Sequence, residues 1–279
     1  MIPDSQTNFL YLADALPKKY SNFYKQFERV LNEYNISFQL LPHTKDVWAV
    51  DYMPIQIDKE NFVQFVYNPD YLRDTIKWSK TISDVDTICK AINISTYKSN
   101  IILDGGNVTR TTGKVIMCDK IFKENPTIKE KDLVDELEAV FQVEQIVFIP
   151  TDQNDFTGHA DGMVRFYDND TVLINDYSKE DEDFKLRLRL ALHNASLDFI
   201  EIPYNPYMNQ KDDYANGAYI NFLRMHQAVI IPTFGIEEDE AVVRQFEQLF
   251  PGQNIVTINS NDLALDGGIL NCISWNIYK

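Results

Sequence analysis

Leu103-Asp104-Gly105-Gly106, closing the apolar run 100–104, returns as Leu265-Asp266-Gly267-Gly268 near the C-terminus. An echo of this kind suggests a repeated structural unit, although Asp-Gly is also an ordinary turn pair at strand ends. Its surroundings carry the rest of the argument. Residues 21–34, 128–142 and 239–250 space their apolar side chains three and four apart, as helices do, whereas 100–104, 114–119, 145–150, 171–176, 227–234 and 254–259 are short β-branched runs that read as strands. Alternation of the two patterns predicts an α/β chain. Residues 179–190 read as a charged, solvated helix face. No Gly/Ser linker, Pro-rich tract or single-sign charge block divides the chain, so residues 1–279 read as one domain.

The 279 residues are 44% hydrophobic, enough for a sizeable core. A formal charge of −16, from 26 Lys and Arg against 42 Asp and Glu, argues against nucleic acid or an anionic membrane as partner and favours cationic ligands. Solubility alone accounts for such acidity equally well. There is no apolar run of the roughly 18 residues a membrane span needs, and residues 1–20 lack a basic region followed by an apolar stretch. A soluble, cytoplasmic protein is expected. Cys89, Cys118 and Cys272 are too few and too scattered for a disulfide framework or a Cys-x-x-Cys site, so reduced thiols are expected.

Three stretches carry residue types suited to chemistry. In 156–166, His159 and Asp161 would share one face if the segment is extended, because side chains two apart on a strand point the same way. Taken alone, a Gly-rich surface turn is the commoner explanation. Cys272 follows Gly267-Gly268, a pair that lets backbone approach a ligand closely, whereas Cys118 and Cys89 sit in apolar strand and helix patterns typical of inert buried thiols. Residues 46–54 bring Asp46 and Asp51 beside Trp48, either as part of a site or as a strand end closed by Pro54. A cysteine and a distant histidine are the parts of thiol nucleophilic catalysis.

Trp48, Asp51 and Pro54, then Asp104-Gly105-Gly106-Asn107, then Gly158-His159-Ala160-Asp161, then Gly267-Gly268 and Cys272, occur in an order and spacing that resembles the agmatine deiminase and bacterial peptidylarginine deiminase family. Residues 219–222, 229–234 and 250–251 look like that family's C-terminal third, and the resemblance extends over about residues 43–277. It implies the pentein fold, a five-bladed α/β propeller of ββαβ modules around a central active site. It also implies roles. Cys272 would attack a guanidinium carbon, and His159 would protonate the departing ammonia and then activate the water that resolves a thiouronium intermediate. Asp104 would orient His159, Asp51 and Asp161 would grip guanidinium nitrogens, and Trp48 would line the substrate site. The implied substrate is a small cationic guanidino compound of polyamine or arginine metabolism, such as agmatine or an arginine derivative, and a homodimer is compatible with the resemblance.

The chemistry suits the residue types. A guanidinium is resonance-stabilised and always protonated, so water attacks it slowly and a thiolate far faster. Two carboxylates fix its planar fork, and the bound cation favours the thiolate. No cofactor or metal is expected: His43, His159, His193 and His226 show no ligand spacing. The chain departs from the family pattern at Val50 for Arg, Met53 for Gly, Asp104 for Glu and Asn271 for His. Arg110, Arg165, Arg224 and Asp212 are candidates for the far end of the substrate. An amidinotransferase and a non-catalytic pentein binding module are the competing readings.

Overall fold

The computed structural model describes residues 1–73, 80–207, 209–211 and 214–279. Among the described residues five three-stranded sheets form, and each repeats one pattern. A short first strand runs antiparallel to a buried middle strand, a helix crosses over, and a third strand returns parallel to the middle one. In chain order the strands are β1 (Phe9–Ala13), β2 (Ser37–Leu41), β3 (Ile55–Gln56), β4 (Phe62–Val66), β5 (Tyr97–Ile102), β6 (Thr109–Arg110), β7 (Lys114–Cys118) and β8 (Gln145–Ile149). They continue as β9 (Val164–Phe166), β10 (Thr171–Asn175), β11 (Asp198–Ile202), β12 (Leu223–Arg224), β13 (Ala228–Thr233), β14 (Asn254–Asn259) and β15 (Ser274–Ile277). The sheets are β15-β1-β2, β3-β4-β5, β6-β7-β8, β9-β10-β11 and β12-β13-β14. This is the expected ββαβ propeller of the pentein type.

One blade is completed from both chain ends. β15 pairs antiparallel with β1, in the register Phe9 opposite Ile277, so the last strand closes the ring begun by the first. The crossover helices α1 (Ser21–Glu33), α2 (Val85–Ala91), α3 (Glu130–Phe141), α4 (Glu182–Asn194) and α5 (Glu238–Leu249) bury one face. That face recurs every fourth residue: Phe23, Phe27 and Leu31; Leu133, Leu137 and Phe141; Phe184, Leu188 and Leu192. Asp84 and Asp181 cap two of these helices by accepting from the backbone amides of Thr87 and of Asp183 and Phe184. On α4 the remaining face is solvated, with Arg187 paired to Asp183 and Arg189 to Glu201, as the charged stretch predicts. Among the described residues no helix is long and apolar enough to cross a membrane.

The blade repeat explains the tetrapeptide echo. Both copies lie in the link from the third strand of one blade to the first strand of the next, between β5 and β6 and between β14 and β15. The equivalent links elsewhere are 42–54, 150–163 and 203–222. All five converge on one region.

Candidate active site

Trp48, Asp51, Asp104, His159, Asp161 and Cys272 each sit in one of those five links. Asp51 lies on a short helix, Ala49–Tyr52, just before β3; Asp104 precedes a single 3-10 turn, Gly105–Asn107, that leads into β6. His159 and Asp161 lie between β8 and β9, and Cys272 shortly before β15. Two local expectations are corrected. Residues 46–54 are not a strand end, because Ala49–Tyr52 is helical. Residues 156–166 are not extended throughout: His159 has extended dihedrals, but Ala160–Gly162 forms a 3-10 turn. Asn107 Oδ1 accepts from the amides of both Ala160 and Cys118 and holds that turn against β7, so His159 and Asp161 reach the site from a turn rather than from one strand face.

His159 is held between two carboxylates, with Nε2 3.0 Å from Asp104 Oδ2 and Nδ1 3.4 Å from Asp51 Oδ1. The Gly106 amide donates to that same Asp51 oxygen at 3.1 Å. A Cβ on Gly106 would lie 2.5 Å from both Asp51 Oδ1 and His159 Nδ1, so only glycine permits this approach. Gly268 has a different neighbour: its Cβ would lie 2.4 Å from the Trp48 ring, so this glycine lets the indole pack against it, and Gly267 and Gly268 both line the cavity. Cys272 Sγ lies 4.0 Å from Asp161 Oδ2 and donates to Asn221 Oδ1 at 3.4 Å. Asn271 Nδ2 donates to Asp161 Oδ2 at 2.6 Å, and the amides of Asn271 and Cys272 both donate to Asn221 Oδ1. The amide of Val50, next to Asp51 in the chain, donates to the Cys272 carbonyl at 3.3 Å.

A cavity of about 670 Å³ opens over these groups and is lined by Trp48, Asp51, His159, Asp161, Asn221 and Cys272, with Asp104 directly behind His159. Asp51, Asp104, His159 and Asp161 are buried, and Cys272 and Trp48 are partly exposed. Cys89 and Cys118 are buried away from the cavity. The proposed far-end arginines are engaged elsewhere. Arg165 donates to the Phe222 carbonyl and pairs with Asp4, Arg110 pairs with Asp4 and the Ile2 carbonyl, and Arg224 donates to the carbonyls of Phe166 and Tyr167. None lines the cavity. Asp212 lies outside the described residues.

Burial raises the proton affinity of the Asp51 carboxyl to about 8, reinforced by the charges of Asp104 and Asp161. Burial raises Asp161 as well. Cys272 is pushed well above the usual thiol range by burial and then by the negative charges of Asp161 and Asp51. Burial alone would lower His159, but Asp51 and the Asp104 hydrogen bond override it and keep the imidazolium protonated. The site therefore crowds together more carboxyl groups than it can keep ionised when empty, and a bound cation would favour their ionised forms. Binding a guanidinium should expel protons, so its Kd should rise about tenfold per pH unit for each displaced proton as pH falls below about 8. Titration calorimetry on Cys272→Ser at pH 6 to 8.5 measures this; a pH-independent Kd would contradict it.

Asn221, Asn271, Lys120 and Tyr71 also belong to the site or its immediate surroundings, and the sequence reading assigned none of them a role. The available signal for Asn221 was positional: it precedes a first strand as the other site residues do, but that strand, Leu223–Arg224, is only two residues long.

A family model described as Porphyromonas-type peptidyl-arginine deiminase matches residues 8–277. Among solved structures, the agmatine deiminase of C. jejuni superposes with a TM-score of 0.82 at 19% identity, covering 100% of this chain and 95% of that one. The same enzyme is also known as a cysteine-to-serine variant with substrate bound, at a TM-score of 0.79 and 20% identity, covering 100% of this chain and 96% of that one. A dimethylarginine dimethylaminohydrolase of Pseudomonas aeruginosa superposes with a TM-score of 0.60 at 11% identity, covering 97% of this chain and 99% of that one. At these identities the likeness is one of fold. In sequence, a Streptococcus mutans relative provisionally named an agmatine deiminase is 22% identical over 236 residues, 71% of this chain. The chain spans 62–64% of the length of the curated relatives it matches first.

Proposed function

This chain belongs to the Porphyromonas-type peptidyl-arginine deiminase family, and we propose that it is a cysteine-dependent deiminase of guanidino compounds. The observation that carries this reading is the meeting of one thiol, one doubly held imidazole and two buried carboxylates in a single cavity. Asp51 and Asp161 supply the acceptors that a planar cationic fork requires. Their charge, which disfavours the thiolate in the empty site, is neutralised once a guanidinium lies between them, so ionisation of Cys272 is coupled to substrate binding.

Cys272 Sγ then forms a bond to the guanidinium carbon, and His159 gives its proton to the nitrogen that leaves as ammonia. In the second half, neutral His159 takes a proton from water as its oxygen attacks the thiouronium carbon. The C–S bond breaks, and a ureido product departs. Asp104 keeps the ring of His159 oriented throughout. Asn221, accepting from the Cys272 amide and thiol, fixes where the sulfur sits.

The lining carries more acidic than basic side chains, with Asp46, Asp152 and Asp266 among the acids against Lys179 and Lys211, and suits a substrate that is cationic rather than anionic at its far end. The test is a screen of agmatine, arginine and peptidylarginine, following ammonia and ureido product together. Equal yields of the two from at least one compound are expected. Amidino transfer to an added amine without ammonia would convert the assignment to amidinotransferase, and saturable binding without any product would make the chain a binding module.

A further inference from the structure

We infer that Lys120 is a positioning residue of this site: its ammonium shares Asp104 Oδ2 with His159 and thereby sets how firmly His159 holds the proton it must deliver. The catalytic part of this statement rests on the deiminase reading above; the electrostatic part does not.

Lys120 opens the short helix Lys120–Glu124 that follows β7, and its side chain is only 8% exposed, a placement lysine rarely adopts without partners. Its Nζ lies 3.8 Å from Asp104 Oδ2, the oxygen that faces His159 Nε2 at 3.0 Å. It also lies 3.3 Å from Glu124 Oε1 and 3.6 Å from Asp70 Oδ1, and it donates to the Thr157 carbonyl at 2.6 Å. Thr157 belongs to the link that carries His159, so the same ammonium ties down the backbone of that link and the carboxylate that orients the ring. The Tyr71 ring, 5.4 Å from Nζ, packs edge-on to His159 at 5.9 Å.

Among the described residues, several elements present groups to His159. Asp51 comes from the helix before β3, Asp104 and the Gly106 amide from the β5–β6 link, and Asp161 from its own turn. Glu124 and Lys120 come from the helix after β7, and Tyr71 covers the ring edge. Among the described residues all of these charged partners but one are carboxylates, and carboxylates alone would make the imidazolium too weak an acid to protonate a departing amine and then return as base. Lys120 is the cation that opposes them. A lysine needed only to neutralise Glu124 would not have to reach Asp104.

The experiment is an NMR titration of the His159 ring in wild type, Lys120→Met and Lys120→Arg, with His43, His193 and His226 as internal references and His159→Gln for assignment. Lys120→Met should raise the His159 pKa by about one unit through loss of a nearby like charge, and Lys120→Arg should largely restore it. If Lys120→Met does not fold, Glu124→Gln serves instead and should lower the His159 pKa, because it removes an anion and leaves more of the ammonium's charge to Asp104. The basic limb of the kcat profile should move by the same amount and in the same direction as the titration. An unmoved His159 pKa in these variants would overturn the proposal and leave Lys120 a structural residue. Shifted titrations in a protein that turns over no guanidino compound would uphold the coupling and overturn the deiminase reading instead.

Discussion

Cys272→Ser should abolish turnover of every guanidino substrate, with kcat falling by about 10⁴-fold or more, while ligand binding stays within a few-fold of wild type. The hydroxyl is a far weaker nucleophile toward a guanidinium carbon and a poorer leaving group in the second half of the reaction. The sulfur's own contacts in the site are to Asn221 Oδ1 and Asp161 Oδ2, and a hydroxyl can donate to the same acceptors. The amides of Asn271 and Cys272 still reach Asn221 Oδ1, and the Cys272 carbonyl still accepts from Val50. The fold should therefore be unaffected. Steady-state kinetics, a thermal melt and calorimetric binding separate the two effects; a Ser variant that keeps a tenth of the activity would remove the thiol from the mechanism.

Asp161→Asn and Asp51→Asn should each cost on the order of 2–4 kcal/mol of transition-state stabilisation, seen as a fall in kcat/KM of about 30- to 1000-fold. Both residues are buried acceptors facing the cavity, and each loses a charge-assisted pair with the substrate cation when neutralised. Stability should move the other way or not at all. The empty site already crowds together more carboxyl groups than it can keep ionised, as the raised proton affinities of Asp51 and Asp161 indicate, so removing one carboxylate relieves it. In Asp161→Asn the new amide must present its oxygen to Asn271 Nδ2, which fixes its orientation. A melting temperature unchanged or raised, with activity lost, is the expected pair of results; unchanged activity in both variants would take these carboxylates out of the site.

What the sequence could reveal follows from burial. The middle strands β7, β10 and β13 are buried nearly end to end and therefore read as continuous apolar runs. The third strands β2 and β11 are mostly exposed, with burial patterns that alternate too poorly to signal a strand. The two-residue first strands carry no pattern at all, and the β15–β1 pairing joins the two ends of the chain, beyond any local signal. At the site, Cys272, His159 and Asp161 stood out by residue type and neighbouring glycines, whereas Asp51, Asp104 and Trp48 gained their roles only through the resemblance of the ordered motifs to the deiminase family. Asn221 and Lys120 did not stand out. An asparagine before a two-residue strand and a lysine opening a five-residue helix look like ordinary surface residues until the links are folded together. The 3-10 turn at Ala160–Gly162 was hidden for a similar reason, since it is held by Asn107 from a different link.

The central claim is that Cys272 forms a covalent bond to the guanidinium carbon of a substrate. Acid-quenching the enzyme during turnover and weighing the intact protein tests it directly. The account predicts an added mass equal to the substrate less ammonia, mapping to the peptide containing Cys272 and absent from Cys272→Ser and from protein mixed with product alone. Ammonia and ureido product formed at an undiminished rate by Cys272→Ser, or an adduct mapping to Cys89 or Cys118, would contradict it.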